Sequence, residues 1–209
     1  MSIYAGTTKA NYSIEDGTYP GILFQIIQIG SQRFEKGGKE WYSPQILLGF
    51  ELPTLTYQNM NGDNVSNIKS GTYFLSMNPS KNGMTGLREI MDGLRQSTEY
   101  TEEELEKFDI EAFFGKECNV KLEGVESKGT VYQNITGVTP YDGEEKLEAL
   151  RVPILVRIAD FARLDELELP EWIKDKIMKS QEYQELINKE NKNSNVDGDC
   201  KISLDDIPF

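Results

Sequence analysis

The sequence predicts a mainly β fold: a small five-stranded barrel with helices inserted between its third and fourth strands. Two observations support this class. Stretches of residues with the alternation or apolar content of strands recur five times along the chain. Between the third and the fourth stretch, the period changes to that of an amphipathic helix.

The predicted strands differ in how they alternate. The first is apolar on both parities, as expected of a strand buried on two sides, whereas the second places Trp41 among polar residues on its outer face. A turn-rich, basic loop containing Gly37-Gly38 joins these two strands. The predicted strands are residues 19–30, 39–52, 71–77, 117–124 and 130–138. Their predicted core faces hold Tyr42, Ile46, Leu48 and Phe50, then Tyr73, Leu75 and Met77, then Cys118, Val120 and Leu122.

Two helices are predicted in the insertion. The first has apolar residues at i, i+3, i+4 and i+7, namely Leu87, Ile90, Met91 and Leu94. The second begins at Thr101, where Glu104 completes a capping box, and Gly115 is its expected end. With helices in this position, the order of elements is that of the OB-fold barrel, whereas a β-sandwich needs more strands at more regular spacing.

After the barrel, the sequence predicts a packing arm, one helix and a disordered acidic tail. The helix covers residues 169–187, and its apolar stripe of Trp172, Ile173 and Ile177 is expected to pack on the barrel rather than to bind a partner. From Asn188 onward there is almost no apolar content, which predicts a flexible linker. The predicted domains are therefore a barrel at 1–140, an arm and helix at 141–188, and a linker with an interaction tip at 189–209.

Composition narrows the function classes. Histidine is absent, which excludes serine–histidine and cysteine–histidine catalysis and the usual zinc centres, and two cysteines are too few for a disulfide framework. The sequence therefore predicts no enzyme, no cofactor and no metal site. Asn195 to Asp206 fits a calcium loop in part, but Cys200 occupies the position that needs glycine.

Charge is distributed unevenly along the chain. The net charge of −13 argues against a nucleic-acid partner, yet residues 1–100 carry nine acidic and eight basic residues while residues 101–209 carry 26 and 14. The first part can therefore face an anion. No apolar run approaches the ~20 residues of a membrane span, and the first residues lack the features of a signal peptide, so we expect an intracellular protein without a membrane partner.

Three aromatic residues fall on the non-core parity of three predicted strands: Trp41, Phe74 and Tyr132. Basic and polar residues accompany them: Arg33, Lys36, Lys39, Gln45, Lys81, Lys121 and Lys128. This combination predicts a site for single-stranded nucleic acid, because bases stack on rings at ~1–3 kcal/mol each while cations hold the backbone. The alternative is that the rings reflect strand propensity and cross-strand pairing, or are covered by the C-terminal arm.

The sequence ends in an acidic stretch with an apolar tip, composed of Asp205, Asp206, Ile207, Pro208 and Phe209. Such a tip suits a small apolar pocket ringed by basic residues, with the acids steering association. These residues resemble the C-terminal tip of bacterial single-stranded DNA-binding proteins, which implies recruitment of replication, recombination and repair enzymes. The body, with its helical insertion and the strand pair "GKECNVKLEG…GTVYQNITGVTP", resembles phage-encoded single-stranded DNA-binding proteins with OB barrels.

These observations predict a non-enzymatic single-stranded DNA-binding protein, phage-encoded and acting in the cytoplasm of a bacterial host. It would coat strands during DNA replication or recombination and recruit partners through its tip. The alternative is an interaction protein without DNA affinity that mimics the host tip to sequester or inhibit repair enzymes. A metal-dependent nuclease is a third possibility, but it lacks clustered acids on the predicted strands.

Overall fold

The structure is a computed structural model of the chain, and it describes residues 14–59, 61–79, 86–127 and 130–194. The strands in this part of the chain are β1 (Gly17–Lys36), β2 (Lys39–Gln58), β3 (Asn64–Phe74), β4 (Glu117–Ser127), β5 (Thr130–Pro140) and β6 (Ile154–Val156). The α-helices are α1 (Leu87–Arg95), α2 (Glu102–Glu106), α3 (Glu171–Met178) and α4 (Gln181–Ser194). Two 3-10 segments lie at Glu111–Phe113 and Ile158–Glu166. Among these helices, none is long and apolar enough to cross a bilayer.

The five long strands form one sheet in the order β3-β2-β1-β4-β5, and β6 pairs with β1. The predicted class, mainly β with helices between β3 and β4 and further C-terminal helices, is confirmed. The predicted closed barrel is wrong. Closure would require the two ends of this order, β3 and β5, to pair, and the described residues contain no such pairing. Helix α1 packs against β5 instead.

The chain forms two compact units. The first contains the described residues up to Gln25 together with those of Leu48–Gly71 and Ser76–Pro153. The second contains Ile26–Leu47, Thr72–Leu75 and the described residues from Ile154 onward. Each unit has its own apolar core.

The core of the first unit joins the sheet to helix α1. All four predicted helix residues, Leu87, Ile90, Met91 and Leu94, are buried, and so are the predicted β4 residues Cys118, Val120 and Leu122. Gly93 allows α1 to approach β5 closely, since a Cβ at this position would lie 1.9 Å from the carbonyl oxygen of Val138.

A buried carboxylate in the first unit holds the irregular segment that follows β5. Glu51 has no exposed surface, and its Oε1 accepts hydrogen bonds from the Ser66 hydroxyl at 2.5 Å and from the Leu150 backbone N–H at 2.9 Å. Arg151 then donates to the Ser66 carbonyl at 2.6 Å. Because buried polar groups need partners, this network ties residues 150 and 151 to the sheet.

The core of the second unit packs β1 and β2 against the C-terminal helices. Its buried members are Ile27, Ile29, Leu47, Val156, Phe161, Leu164, Leu169, Ile173 and Ile177. Glu182 of α4 fixes the helix to β1, since its two carboxylate oxygens accept hydrogen bonds from the Ser31 N–H and hydroxyl, each at 2.7 Å. The preceding residue, Gly30, has a φ of +73°, and a Cβ there would lie 2.5 Å from Ser180.

The strands are longer than the sequence predicts, although β3 ends at Phe74 and not at the predicted Met77. The predicted basic loop between the first two strands is a continuation of β1 and β2, with only Gly37 and Gly38 forming the turn. The predicted polar connection at 53–70 belongs in part to β2 and β3. Backbone pairing continues where the side chains are polar, because ladder hydrogen bonds do not depend on side-chain hydrophobicity. Tyr42, predicted in the core, is 51% exposed because it lies on this outer part of β2.

Both predicted long helices are interrupted. The capping box at Thr101 is confirmed, but α2 ends at Glu106, and Phe108 then packs its ring against Tyr100 and Phe113 at centroid distances of 5.6 Å. The predicted helix at 169–187 is two helices, because the Ser180 hydroxyl accepts a hydrogen bond from the Tyr183 N–H and caps α4. Helix α4 continues to Ser194, beyond the predicted start of the linker at Asn188.

Gly93→Ala tests the close approach of α1 to β5. In an unconstrained helix this change stabilises by about 1 kcal/mol. Here the added methyl meets the Val138 carbonyl, so we expect a net loss of about 1–3 kcal/mol in the free energy of unfolding, measured by urea denaturation. Gly137→Ala on β5 is the control, since its Cβ would meet only Lys121 at 3.9 Å. Stabilisation by Gly93→Ala would contradict the contact.

Glu182→Gln tests the anchor between α4 and β1. Burial raises the pKa of the Glu182 carboxyl, but the hydrogen bonds from Ser31 outweigh burial and hold the pKa below its usual range. A lowered pKa means that the charged group stabilises the fold above about pH 4.3 and that this contribution is lost as the pH falls through the folded-state pKa. We therefore expect Glu182→Gln to cost about 1 kcal/mol at pH 7, a value reduced by partial solvation of the carboxylate, and less at pH 3.

Urea denaturation of wild type and variant at both pH values measures this difference. Glu185→Gln is the matched control, because Glu185 lies on the same helix and its hydrogen bond, accepted from Gln181, is exposed. An equal loss at pH 7 and pH 3 would show that the carboxylate charge does not contribute.

Candidate nucleic-acid interface

The outer end of the β1–β2 hairpin carries the predicted site residues of the second unit. Gly37 and Gly38 form a two-residue turn with φ values of +60° and +74°, as a type I′ turn requires. Residues equidistant from such a turn face each other, so Phe34 lies opposite Trp41 and Lys36 lies opposite Lys39. Because side chains alternate along each strand, these four residues share one face of the hairpin.

Three rings meet on that face. Phe34 and Trp41 stack with centroids 5.8 Å apart and ring planes at 20°, and Phe74 of β3 lies 5.4 Å from Phe34. We call Phe34, Trp41 and Phe74 the aromatic patch. Trp41 is 43% exposed and Phe74 is 51% exposed, while Phe34 between them is partly buried. The patch offers ring surface to solvent at the end of the sheet.

Two of the predicted site residues are thus in one cluster, together with a ring that the sequence analysis did not single out. Phe34 falls in the stretch predicted as a loop, and strand alternation assigns no face to a loop residue. A signal was present, since Phe34 and Trp41 are each three residues from the nearer glycine of the Gly37-Gly38 pair. If Gly37-Gly38 is taken as a two-residue hairpin turn, Phe34 and Trp41 are predicted to lie opposite each other on adjacent strands.

The predicted basic residues of the hairpin divide between its two faces. Lys36 and Lys39 are exposed and share the face of the aromatic patch. Gln45 lies on the same parity as Trp41 and is partly buried. Among the described hairpin residues 32–45, no acidic residue shares this face, so the two lysines give the patch a local positive charge.

Arg33 lies on the opposite face of the hairpin. Its guanidinium donates to the Glu40 carboxylate through Nε at 3.1 Å and through Nη2, and Glu35 is 4.0 Å from Nη2. The hydrogen bond and the charge of Glu40 raise the pKa of Arg33 above its usual range. Arg33 is therefore paired with carboxylates on the face opposite the aromatic patch.

Tyr132 and Lys121 belong to the first unit. Tyr132 is 55% exposed and pairs with Val125 across β4 and β5, on the face away from the core. The ammonium of Lys121 is 2.7 Å from the Glu123 carboxylate. The grouping of these two residues with Trp41 and Phe74 stays a prediction.

The remaining sequence-predicted positions lie outside the described residues. They are Lys81, Lys128 and the tip residues Asp205, Asp206, Ile207, Pro208 and Phe209. The partial calcium-loop match at 195–206 lies there too. Within the described ranges, no group of three or more acidic or cysteine side chains is arranged to hold a metal ion.

Helix α3 lies over the face that carries the aromatic patch. Gln32, two residues before Phe34 on β1, donates through Nε2 to the Lys176 carbonyl at 3.0 Å. The Lys176 ammonium in turn lies 3.2 Å from the hydroxyl of Thr72, two residues before Phe74 on β3. Of the stripe predicted to pack, Ile173 and Ile177 are buried, but Trp172 is 47% exposed.

The comparisons with known proteins add no family assignment. The chain matches no protein-family model and no curated protein sequence. The likeness of the tip to bacterial single-stranded DNA-binding proteins therefore remains a resemblance of a few residues.

Proposed function

We propose that this protein binds single-stranded DNA without sequence preference, through the aromatic patch and the two lysines on its face. The observation that carries the proposal is the contact of three rings at the end of the sheet, with Trp41 and Phe74 about half exposed. Bases stack on exposed rings irrespective of sequence, and Lys36 and Lys39 can follow the phosphates.

Cross-strand pairing alone explains only part of the patch. It accounts for the stacking of Phe34 on Trp41, which are opposite each other. It does not account for the contact of Phe74 with Phe34, because β3 and β1 are not neighbours in the sheet, nor for the exposure of both outer rings. Exposed apolar surface of this kind is typical of a binding site.

The fold supports this proposal in part. We propose that the sheet is an opened relative of the OB barrel, with the same insertion of helices between its third and fourth strands. The OB fold binds ligands on the face of its strands 2 and 3, and the aromatic patch draws Trp41 from β2 and Phe74 from β3. The proposed biological role is coating of single strands in phage replication or recombination.

Partner recruitment is the second part of the proposal. Residues 205–209 would bind replication and repair enzymes of the host, on the strength of their resemblance to the bacterial tip. The alternative function, a tip mimic without DNA affinity, is favoured by the net charge of −13 and by the pairing of Arg33 and Lys121 with carboxylates. A gel shift with single-stranded and double-stranded oligonucleotides separates the two functions.

Trp41→Ala and Phe74→Ala test the aromatic patch, since these two rings are its exposed members. Each removes a stacking surface, so we expect affinity for oligo(dT) to fall by the ~1–3 kcal/mol of one stacked base, roughly 5- to 150-fold.

Lys36→Gln with Lys39→Gln should lower affinity and make the logarithmic salt dependence shallower by about 1.4, since each phosphate contact on a single strand contributes about 0.7. Fluorescence anisotropy of a labelled oligonucleotide over a salt series gives both quantities.

Arg33→Gln is the matched control for the lysine variants. It removes a positive charge from the same hairpin but from the opposite face, and it should leave affinity and salt dependence nearly unchanged. Wild-type protein that fails to shift single-stranded DNA at low salt would overturn the proposed function. The same loss per charge removed in Arg33→Gln as in the double lysine variant would show general charge attraction rather than a site on one face.

Phe209→Ala tests the tip separately from the DNA site. We expect the variant to lose its ability to capture purified host enzymes that bind such tips, because the terminal ring is the apolar anchor. Its affinity for oligo(dT) should stay within twofold of wild type. Ser203→Ala is the control for a change in the same tail. A collapse of DNA binding in Phe209→Ala would show that the tail belongs to the DNA site instead.

A further inference from the structure

Helix α3 carries an exposed tryptophan, Trp172, beside the two buried residues that anchor the helix. Ile173 and Ile177 are almost fully buried in the core of the second unit, and they hold the helix on the sheet. Trp172 is 47% exposed beside them. An exposed ring on a helix that is already anchored is surface available for stacking.

Lys176 lies one helical turn after Trp172 and connects it to the sheet. Its ammonium is 5.5 Å from the centre of the Trp172 ring and 3.2 Å from the Thr72 hydroxyl. Thr72 and Phe74 are alternate residues of β3, so their side chains lie on the same face about 7 Å apart. A continuous strip therefore runs from Trp41 through Phe34 and Phe74 to α3.

The ammonium of Lys176 lacks a counter-ion in the described part of the chain. No carboxylate among the described residues lies within 4.0 Å of it, and its contacts are a neutral hydroxyl and the face of a ring. Burial lowers the pKa of Lys176, because desolvation disfavours the charged form. A phosphate would supply the missing negative charge, and the Thr72 hydroxyl could donate to it.

We propose that the single strand continues from the aromatic patch onto helix α3, where Lys176 and Thr72 bind a phosphate and Trp172 stacks an adjacent base. This subsite rests on the proposed function, since it extends the same site. The ligand is the sugar–phosphate backbone and any base of single-stranded DNA. The test must therefore separate failure of the subsite from failure of DNA binding itself.

Single-tryptophan variants report on the two ends of the strip independently. The chain has two tryptophans, so Trp41→Phe leaves Trp172 as the reporter and Trp172→Phe leaves Trp41. Both substitutions keep an aromatic ring, and both side chains are substantially exposed, so the fold should be retained. We expect the emission of each reporter to fall on titration with (dT)20, with a common midpoint.

Affinity variants test the subsite without fluorescence. Trp172→Ala should weaken binding of (dT)20 roughly 5- to 150-fold, as for loss of one stacked base. Lys176→Gln should weaken it and make the salt dependence shallower by about 0.7, whereas Lys176→Arg should retain the wild-type slope. Lys174→Gln is the matched control, because Lys174 lies on the same helix and its ammonium contacts the Asp165 carbonyl at 3.3 Å, away from Thr72.

The outcomes are distinguishable. If neither tryptophan responds to (dT)20 and wild type shows no binding, the proposed function fails and the subsite fails with it. If the Trp41 reporter responds, but Trp172 emission is unchanged and Lys176→Gln has the affinity and salt slope of Lys174→Gln, only the subsite is overturned. Response of both reporters, with a loss specific to Lys176→Gln, supports the continuous strip.

Discussion

The turn at Gly37 and Gly38 is the constraint on which the candidate site depends. Both residues have positive φ, which glycine adopts without strain, and this fixes a two-residue connection between β1 and β2. The connection sets the register, and the register decides which side chains share a face. Phe34, Trp41, Lys36 and Lys39 therefore face one side, while the ion pair of Arg33 with Glu40 faces the other. A slip of one residue would separate the rings.

Contacts within the second unit fix the C-terminal helices to the strand that carries Phe34. Ile173 and Ile177 bury one side of α3, and Glu182 binds both the N–H and the hydroxyl of Ser31. Rings that stack on a ligand need a rigid base, because each freely rotating group would lose entropy on binding. The net charge of −13 does not oppose such a site directly, since charges more than about 8 Å away are largely screened at physiological salt.

The sequence predicts the structure best where a local pattern is compatible with a single kind of element. The spacing of Leu87, Ile90, Met91 and Leu94 predicts α1 and its buried face, and the capping box at Thr101 predicts the start of α2. Whether the sheet closes into a barrel, and how long β1 and β2 are, cannot be predicted in this way, because both depend on backbone pairing between distant segments. The position of Phe34 escapes prediction for the same reason, because strand alternation assigns no face to a side chain in a predicted loop.

The aromatic patch also bears on the choice between the two functions. A tip mimic needs only its terminal residues and gives no reason for Phe34, Trp41 and Phe74 to remain in contact at a solvent-exposed sheet end. Binding of single-stranded DNA needs ring surface and cations on one face, and the hairpin has both, with its carboxylates Glu35 and Glu40 turned to the other side. The carboxylates Glu35 and Glu40 share the other face with Arg33, so the face of the aromatic patch keeps two lysines and no acidic residue of hairpin residues 32–45, which is the charge arrangement that the proposed phosphate contacts need.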